Sequence, residues 1–260
     1  MMQYETILYN VADNIVTVTL NRPAVMNGLN AQMRADLLHA LRHAPDDGRV
    51  LVFTGAGRAF CSGQDLGSDQ GAIHDIDLER TLREEYEPLL RALYDCPIPT
   101  IAAVNGPAAG AGANLALAAD VVIATKSAVF IQAFTRIGLI PDAGGTYWLP
   151  RQIGFAKAMG AALFADKITA EQAERWGMIW ECAPDDDFAA LIEARATHLA
   201  NGPTKSYAYL KQALRASFDN SLDDQLALEA ELQGKAGKTR DFVEGVVAFN
   251  EKRAPAFKGR

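Results

Sequence analysis

Thr100-Ile101-Ala102-Ala103-Val104-Asn105-Gly106-Pro107-Ala108-Ala109-Gly110-Ala111-Gly112-Ala113-Asn114 is the stretch on which the fold turns. From Ile101 to Ala119 the chain carries no charge, and such a run approaches the ~20 residues that a membrane-spanning helix needs. Gly106, Pro107, Gly110 and Gly112 break it, and Asp120 closes it. The run therefore reads as a buried strand over 100–104, a loop, and a short helix that starts near Gly110. A second strand is expected at Val121 to Ala124. An earlier apolar run, Val50-Leu51-Val52-Phe53, ends in Thr54-Gly55, as a buried strand feeding a loop does. Recurrence of strand, loop and helix indicates an α/β core with a motif at each strand end.

Around this core the pattern changes in both directions. Ile7 to Tyr9 and Ile15 to Leu20 flank Ala12-Asp13-Asn14 and predict a hairpin. A helix is expected at about Ala31 to His43, and an amphipathic one at Leu78 to Tyr94. The polar, small-residue stretch Gly67 to Asp77 between them is expected to move and to close over a ligand. After Arg151 the spacing is mostly helical, apart from a short apolar segment, Met178 to Cys182. From about Phe188 helical spacing runs to Arg253, which divides the chain into a core over 1–187 and a helical region over 188–260. The apolar positions of that region, Leu226, Leu228, Leu232, Phe242, Val246, Val247 and Phe249, either cover the core or meet another subunit.

Composition excludes several classes of function. The 260 residues carry a net charge of −7, against the concentrated cationic face that phosphate-backbone binding needs. No nucleic acid and no membrane is expected as a partner. The three cysteines, Cys61, Cys96 and Cys182, are scattered without metal-ligand spacing. They read as buried thiols in a reducing compartment. The first residues lack a cationic segment followed by an apolar one, so a cytoplasmic location is expected. His39, His43, His74 and His198 accompany no nucleophile motif, which leaves a serine or cysteine triad without support.

Three segments can carry chemistry. Gly110 before Ala111 lets the backbone turn so that the Ala111 amide is free at a helix start, where partial positive charge favours an oxyanion. In Phe60-Cys61-Ser62-Gly63-Gln64-Asp65-Leu66, Gly63 permits close backbone approach, and the Gln64 amide is a second donor if the loops converge. Two amides on one enolate oxygen supply several kcal/mol. Small residues at helix starts also serve packing, and both readings stand for each loop taken alone. The dinucleotide fingerprint with its ribose-binding acid is absent. In the third segment, Ile140-Pro141-Asp142-Ala143-Gly144-Gly145-Thr146, Asp142 is either a helix cap or a base. One acid used twice suggests an isomerase. Asp65 is expected to shape its own loop, and Cys61 to pack.

Taken together, these segments resemble the enoyl-CoA hydratase/isomerase, or crotonase, superfamily, from Leu20-Asn21-Arg22-Pro23 to Phe257-Lys258-Gly259. Gly138 to Thr146, Leu149-Pro150-Arg151 and Trp176 to Trp180 are most similar to its branch that isomerises ring-epoxidised phenylacetyl-CoA. The resemblance implies a spiral of β-β-α turns and a helical C-terminal region for trimer assembly. It also implies a homotrimer or dimer of trimers, an acyl-CoA thioester as substrate, and no cofactor beyond the coenzyme A of that substrate. It puts the oxyanion amides on Gln64 and Ala111 and CoA contacts on Ala24, Met26, Ser62, Asp65 and Leu66. Arg22 and Lys258 become phosphate partners. The positions of the hydratases' two glutamates hold Asn114 and Phe134 here, so hydration loses its machinery. Phe134 supplies an apolar wall for an aromatic or ring-expanded acyl group, with Tyr147 and Trp148 close by in sequence, although core packing explains these rings equally well. The reaction implied is conversion of 2-(1,2-epoxy-1,2-dihydrophenyl)acetyl-CoA to oxepin-CoA through Asp142. The alternatives are a Δ3,Δ2-enoyl-CoA isomerase, which could be a second activity, and behind it an enoyl-CoA hydratase or a silent CoA-binding subunit.

Overall fold

The computed structural model describes residues 3–67 and 77–260. The chain opens with the hairpin of β1 (Ile7–Ala12) and β2 (Ile15–Leu20), antiparallel and in register from Ile7 opposite Leu20 to Ala12 opposite Ile15. Asp13 and Asn14 form its turn with φ of 51° and 62°, left-handed values that these two residue types tolerate. Helix α1 (Ala31–Asp47) is capped by the Asn30 side chain, which accepts the Met33 N–H at 2.9 Å. It runs past His43 through Pro45 and stops at Gly48, a turn longer than its apolar spacing alone suggested.

Three strand-strand-helix turns follow. Strand β3 (Val50–Gly55) leads to Cys61, which bridges Ala108, and on to helices α2 (Leu78–Thr81) and α3 (Glu87–Tyr94). Strands β4 (Thr100–Val104) and β5 (Ala108–Ala109) lead to α4 (Ala111–Leu117). Strands β6 (Val121–Thr125) and β7 (Val129–Ile131) lead, through a 3-10 turn at Ala133–Ile137, to α5 (Gly145–Phe164). The chain then passes through β8 (Ile168–Thr169), α6 (Ala170–Trp176) and β9 (Glu181–Ala183). Six strands join one sheet, ordered β1-β2-β3-β4-β6-β9, and the short strands β5, β7 and β8 form a small sheet, which Cys61 of the first turn meets through a single bridge. This is the expected β-β-α spiral. Beyond β1 the large sheet is parallel.

Parallel strands buried on both faces are apolar throughout. Leu51, Phe53, Ala102, Val104, Val122 and Ala124 face the main core with Leu37, Leu41 and Leu89. The alternate residues, Val50, Val52, Ile101, Ala103 and Ile123, pack against α7 (Phe188–Ala200), so this first helix of the C-terminal region covers the sheet. Helices α8 (Thr204–Ala216), α9 (Leu222–Ala236) and α10 (Arg240–Glu251) follow. Among the described residues, no helix is long and apolar enough to cross a membrane.

Leu78 to Tyr94 is not one regular helix. Pro88 lacks an N–H and crowds the preceding turn, and Leu82–Tyr86 just before it is wound as a π-helix. The expected closing motion of Gly67 to Asp77 falls largely outside the described residues. Cys182 is half-buried rather than buried, whereas Cys61 and Cys96 are enclosed.

Helix α8 is tied to the sheet by charge. Lys211 donates to the Cys96 and Ile98 carbonyls at 2.6 and 2.8 Å and pairs with Asp120 at 2.6 Å. Asp120 also accepts the Thr100 N–H at 2.8 Å. Lys211→Met leaves two carbonyls and a carboxylate short of a donor, so chemical denaturation is expected to register a loss of about 2–4 kcal/mol.

Candidate active site

The segment 61–64 lies between two others. On one side Leu29 bridges Gln64, and on the other Cys61 bridges Ala108. Gly63, at φ +92°, lets the chain turn there. A side chain on Gly63 would meet the Ala109 carbonyl oxygen at 2.8 Å and the Ala111 nitrogen at 3.4 Å, so the loops converge as the sequence required. The Gly63 carbonyl accepts the Leu29 N–H at 2.8 Å. In a planar trans peptide C=O and N–H point in opposite directions, so the Gln64 N–H is turned away from Leu29, toward 108–111. The Gly110 carbonyl likewise accepts the Asn114 N–H at 3.1 Å. That turns the Ala111 N–H out of the helix start. Gly110 takes φ +53° and ψ −130°, a pair of angles open to glycine. Both N–H groups are thus turned away from the partners of their carbonyls, toward the space where the two loops come within contact distance.

Asp142 lies on the turn before α5, near enough to Tyr86, the partner of Gln64, for its charge to act on that phenol. The sequence left it as a cap or a base, and the cap is now removed. Helix α5 starts at Gly145 behind Gly144, and Asp142 accepts the Gly145 N–H at 2.8 Å through its backbone oxygen. Its Oδ1 is buried without a hydrogen-bond partner among the described residues. Burial pushes its carboxyl up to about 6. Burial chiefly pushes the Tyr86 phenol up as well; Arg34 opposes that rise, and the Asp142 charge adds to it.

Asn114, which the resemblance places among the substrate-binding positions, lies beneath the Asp142 turn. It is fully buried, and both ends of its amide are engaged. Its Nδ2 donates to the Asp142 carbonyl at 2.8 Å, and its Oδ1 accepts Gln132 Nε2 at 2.9 Å. It therefore holds the Asp142 turn, and Gly145 is needed because a Cβ there would collide with the Asn114 amide. Phe134, from the 3-10 turn, is buried with its Cζ 3.8 Å from where a Gly110 side chain would begin, a wall beside Ala111. Trp148 Nε1 donates to the Ala143 carbonyl at 3.2 Å and braces the same turn. Tyr147 is not part of this wall; it lies under Arg151, 3.6 Å from its ring centre.

Ala24, Met26, Ser62, Asp65 and Leu66 form one neighbourhood. The Ser62 N–H donates to the Met26 carbonyl at 2.9 Å, and Asp65 Oδ1 accepts the Gly67 N–H at 3.1 Å, shaping its own loop as expected. Leu66 and Met26 are exposed beside it. Arg22 lies here too, but its guanidinium is engaged by Asp65 at 2.8 Å and by the Gly28 carbonyl at 2.5 Å, so its charge is matched within the loop. Lys258 is not brought to the site within this chain. Its N–H donates to Asp241 Oδ1 at 2.7 Å, and neighbouring Phe257 is held by Arg49 at the start of β3. Gln64 follows the far end of β3, on the order of 20 Å along the strand direction.

Cys61 packs as expected, donating to the Asn27 carbonyl at 3.1 Å, and burial pushes its thiol up to about 12. His39, His43 and His198 lie at or near the surface, while His74 is outside the described residues. Arg34, Glu85, Tyr86, Asn27 and Gln132 were not singled out from sequence. Arg34 had a legible sign, because it falls in line with Leu37 and Leu41 on the apolar face of α1. Asn27 bridges the Ala56 and Ala59 carbonyls at 2.9 and 2.8 Å, a long-range role with no local pattern.

This architecture is that of the crotonase class: a structure from Mycobacterium abscessus titled as a putative enoyl-CoA hydratase/isomerase matches it with a TM-score of 0.92 at 38% identity, covering 98% of this chain and 100% of that one. The sequence profile of the enoyl-CoA hydratase/isomerase family matches residues 10–260, and the chain belongs to that family. It is 61% identical over 259 residues to a probable enoyl-CoA hydratase of Rhodobacter capsulatus, with 100% of both chains covered. It is also 46% identical over 262 residues to the 1,2-epoxyphenylacetyl-CoA isomerase of Escherichia coli K12, covering 98% of this chain and 99% of that one.

A buried carboxylate without a partner costs stability. Because the folded value of Asp142 is raised from 3.8 to about 6, the folded state binds the extra proton between these values, and stability falls as pH rises through that window. Asp142→Asn removes the penalty. It should unfold later than the parent at pH 8, by about 2 kcal/mol after allowance for screening at the carboxyl's open edge, with the gain shrinking toward pH 4. Denaturation at the two pH values checks this.

Proposed function

We propose that this enzyme is an acyl-CoA isomerase in which Asp142 moves a proton along the acyl chain while the Gln64 and Ala111 amides hold the thioester oxygen. The observation that supports this reading is a buried carboxyl with one oxygen, Asp142 Oδ1, left without a hydrogen-bond partner, together with the approach of the Gln64 and Ala111 loops; the resemblance adds that Asn114 and Phe134 stand where the family's hydratases have glutamates. Asp142 takes the proton from the carbon alpha to the thioester, and the C–H electron pair becomes the enolate double bond. Negative charge collects on the thioester oxygen, where hydrogen bonds from the amides strengthen. The same carboxyl then returns the proton to a conjugated carbon, so nothing is gained or lost overall. A carboxyl near 6 suits both steps at neutral pH: it is mostly ionised before the reaction and not too weak an acid after it. The site residues Arg22, Ala24, Met26, Ser62, Asp65 and Leu66 are assigned to the coenzyme moiety of the substrate.

The substrate we favour is 2-(1,2-epoxy-1,2-dihydrophenyl)acetyl-CoA, rearranged to oxepin-CoA. The similarity to the E. coli isomerase and the apolar Phe134 wall support it. The 61% identical relative bears the name of a probable hydratase, which keeps water addition as the second reading. Water addition requires one group to activate water and another to protonate carbon, whereas the reading assigns a single carboxyl, Asp142, to the reacting carbons. For the assembled protein we propose a homotrimer or dimer of trimers. Phe242, Val246, Val247 and Phe249 support this, because α10 leaves them exposed on a single chain.

The purified enzyme should exchange the alpha hydrogen of a phenylacetyl-type CoA thioester with deuterium from solvent, and Asp142→Asn should lower that rate by at least about a thousandfold while thioester affinity stays within a few-fold. The rate should rise with pH through about 6 and then level off. Efficient hydration of a 2-enoyl-CoA, or full exchange by Asp142→Asn, contradicts the proposal. Turnover of the epoxide thioester set against that of a 3-enoyl-CoA decides the acyl group.

A further inference from the structure

Gln64 contributes its backbone N–H to the space described above, yet its side chain is fastened as tightly as its backbone. Gln64 Oε1 accepts Arg34 NH1 at 2.8 Å and the Tyr86 hydroxyl at 2.6 Å. The same Arg34 nitrogen donates to the Leu29 carbonyl at 2.9 Å. Leu29 is the residue whose N–H holds the Gly63 carbonyl and whose carbonyl accepts the Asp65 N–H at 3.1 Å. One guanidinium nitrogen thus grips both the side chain of Gln64 and the rung that orients its peptide. The Arg34 side chain is 4% exposed, and its charge is met by Glu85 Oε2, from Nε at 2.9 Å and NH2 at 2.6 Å. It also lies over the Tyr86 ring, 5.0 Å from its centre.

Glu85 and Tyr86 both belong to the π-wound turn Leu82–Tyr86. A π turn inserts a residue into the helix and shifts the side chains around it, and here the shifted pair is the one that reaches Arg34 and Gln64. Burying an arginine, an ion pair and a phenol to fix a glutamine that lies in a loop is costly if packing alone is at stake, since apolar residues would fill the volume at less desolvation cost. The cost is intelligible if the direction of one peptide N–H matters.

We propose that Arg34 and Tyr86 are positioning residues that aim the Gln64 N–H at the thioester oxygen, with the 82–86 turn as the element that sets them. The proposal rests on the reading of Gln64 and Ala111 as donors to that oxygen. It requires neither residue to touch the substrate: Arg34 acts through Leu29 and Gln64, and Tyr86 through Gln64.

Tyr86→Phe removes the hydroxyl while retaining the ring under Arg34, and is the cleaner variant; Arg34→Lys is the second, keeping a charge but not the fork that reaches two acceptors. The readout is the near-ultraviolet band of a bound cinnamoyl thioester of CoA, which moves to longer wavelength as donors draw electron density onto the carbonyl oxygen. Wild type should show the red shift on binding. Tyr86→Phe should lose a clear part of it and slow alpha-hydrogen exchange on the order of tenfold, with KM changed less than twofold and an unaltered melting temperature. Arg34→Lys should lose more of both. An undiminished red shift in both variants overturns the proposal, whatever happens to the rate. A rate loss with a full red shift would instead mark Tyr86 as a participant in proton movement. If wild type exchanges no alpha hydrogen yet displays the red shift, the isomerase reading fails, and the spectral comparison of the variants still decides the aiming role.

Discussion

Close backbone approach at Gly63 is the constraint from which the rest of the site follows. The segment 61–64 is gripped by Leu29 on one side and by Ala108 on the other, and it fits there because neither Gly63 nor Gly112 has a side chain. At Gly112 a Cβ would lie 2.6 Å from the Cys61 carbonyl oxygen and would push α4 away. With that contact in place, each of the two relevant peptides has its carbonyl committed to a hydrogen bond, and planarity then dictates where its N–H points. The spiral fold serves this contact. Each turn delivers a strand to the large sheet and a shorter segment to the small one, and the site forms where the short segments of two successive turns meet.

The second element is electrostatic. Asp142 occupies a buried place with no donor for one of its oxygens, and its carboxyl is raised accordingly. A surface aspartate would be held by a cap or an ion pair and would be a poor base. Here the polar groups nearby restrain the backbone of the turn and leave one carboxylate oxygen without a donor: Asn114 and Trp148 take up the carbonyls of Asp142 and Ala143. Asn114 stays polar and buried because both ends of its amide are engaged. It fastens the turn that carries the acid.

Most of the fold was legible because its signals are local. Charge-free strands ended by glycine and proline, the Asp13-Asn14 turn and the helical spacing after Phe188 each follow from short-range rules. The π-wound turn before Pro88 was missed because helical periodicity over 78–94 tolerates one inserted residue, and α1 outran its apolar stripe because a capping glycine, not a loss of hydrophobicity, ends it. In the site, the approach of the 61–64 loop to Ala109 and Ala111 was readable from glycine placement, and Asp142 stood out as a lone acid in a glycine-rich turn. Asn114, Arg34 and Tyr86 were not assigned their places, since their partners lie 28, 30 and 22 residues away along the chain. A buried network of that span leaves no periodic trace. The segment that carries Lys258 is anchored within this chain by Asp241 and by Arg49 just before β3, contacts between distant residues that no local pattern announces.

The central claim is that one carboxylate and two main-chain amides act on the same acyl thioester. A crystal structure of the enzyme with a non-reactive phenylacetyl-CoA analogue measures this directly. The thioester oxygen is predicted to lie about 2.7–3.1 Å from both the Gln64 and Ala111 nitrogens, with an Asp142 oxygen facing the alpha carbon. A thioester oxygen bound elsewhere, or an Asp142 side chain turned away with another ionisable group at the alpha carbon, would contradict the account.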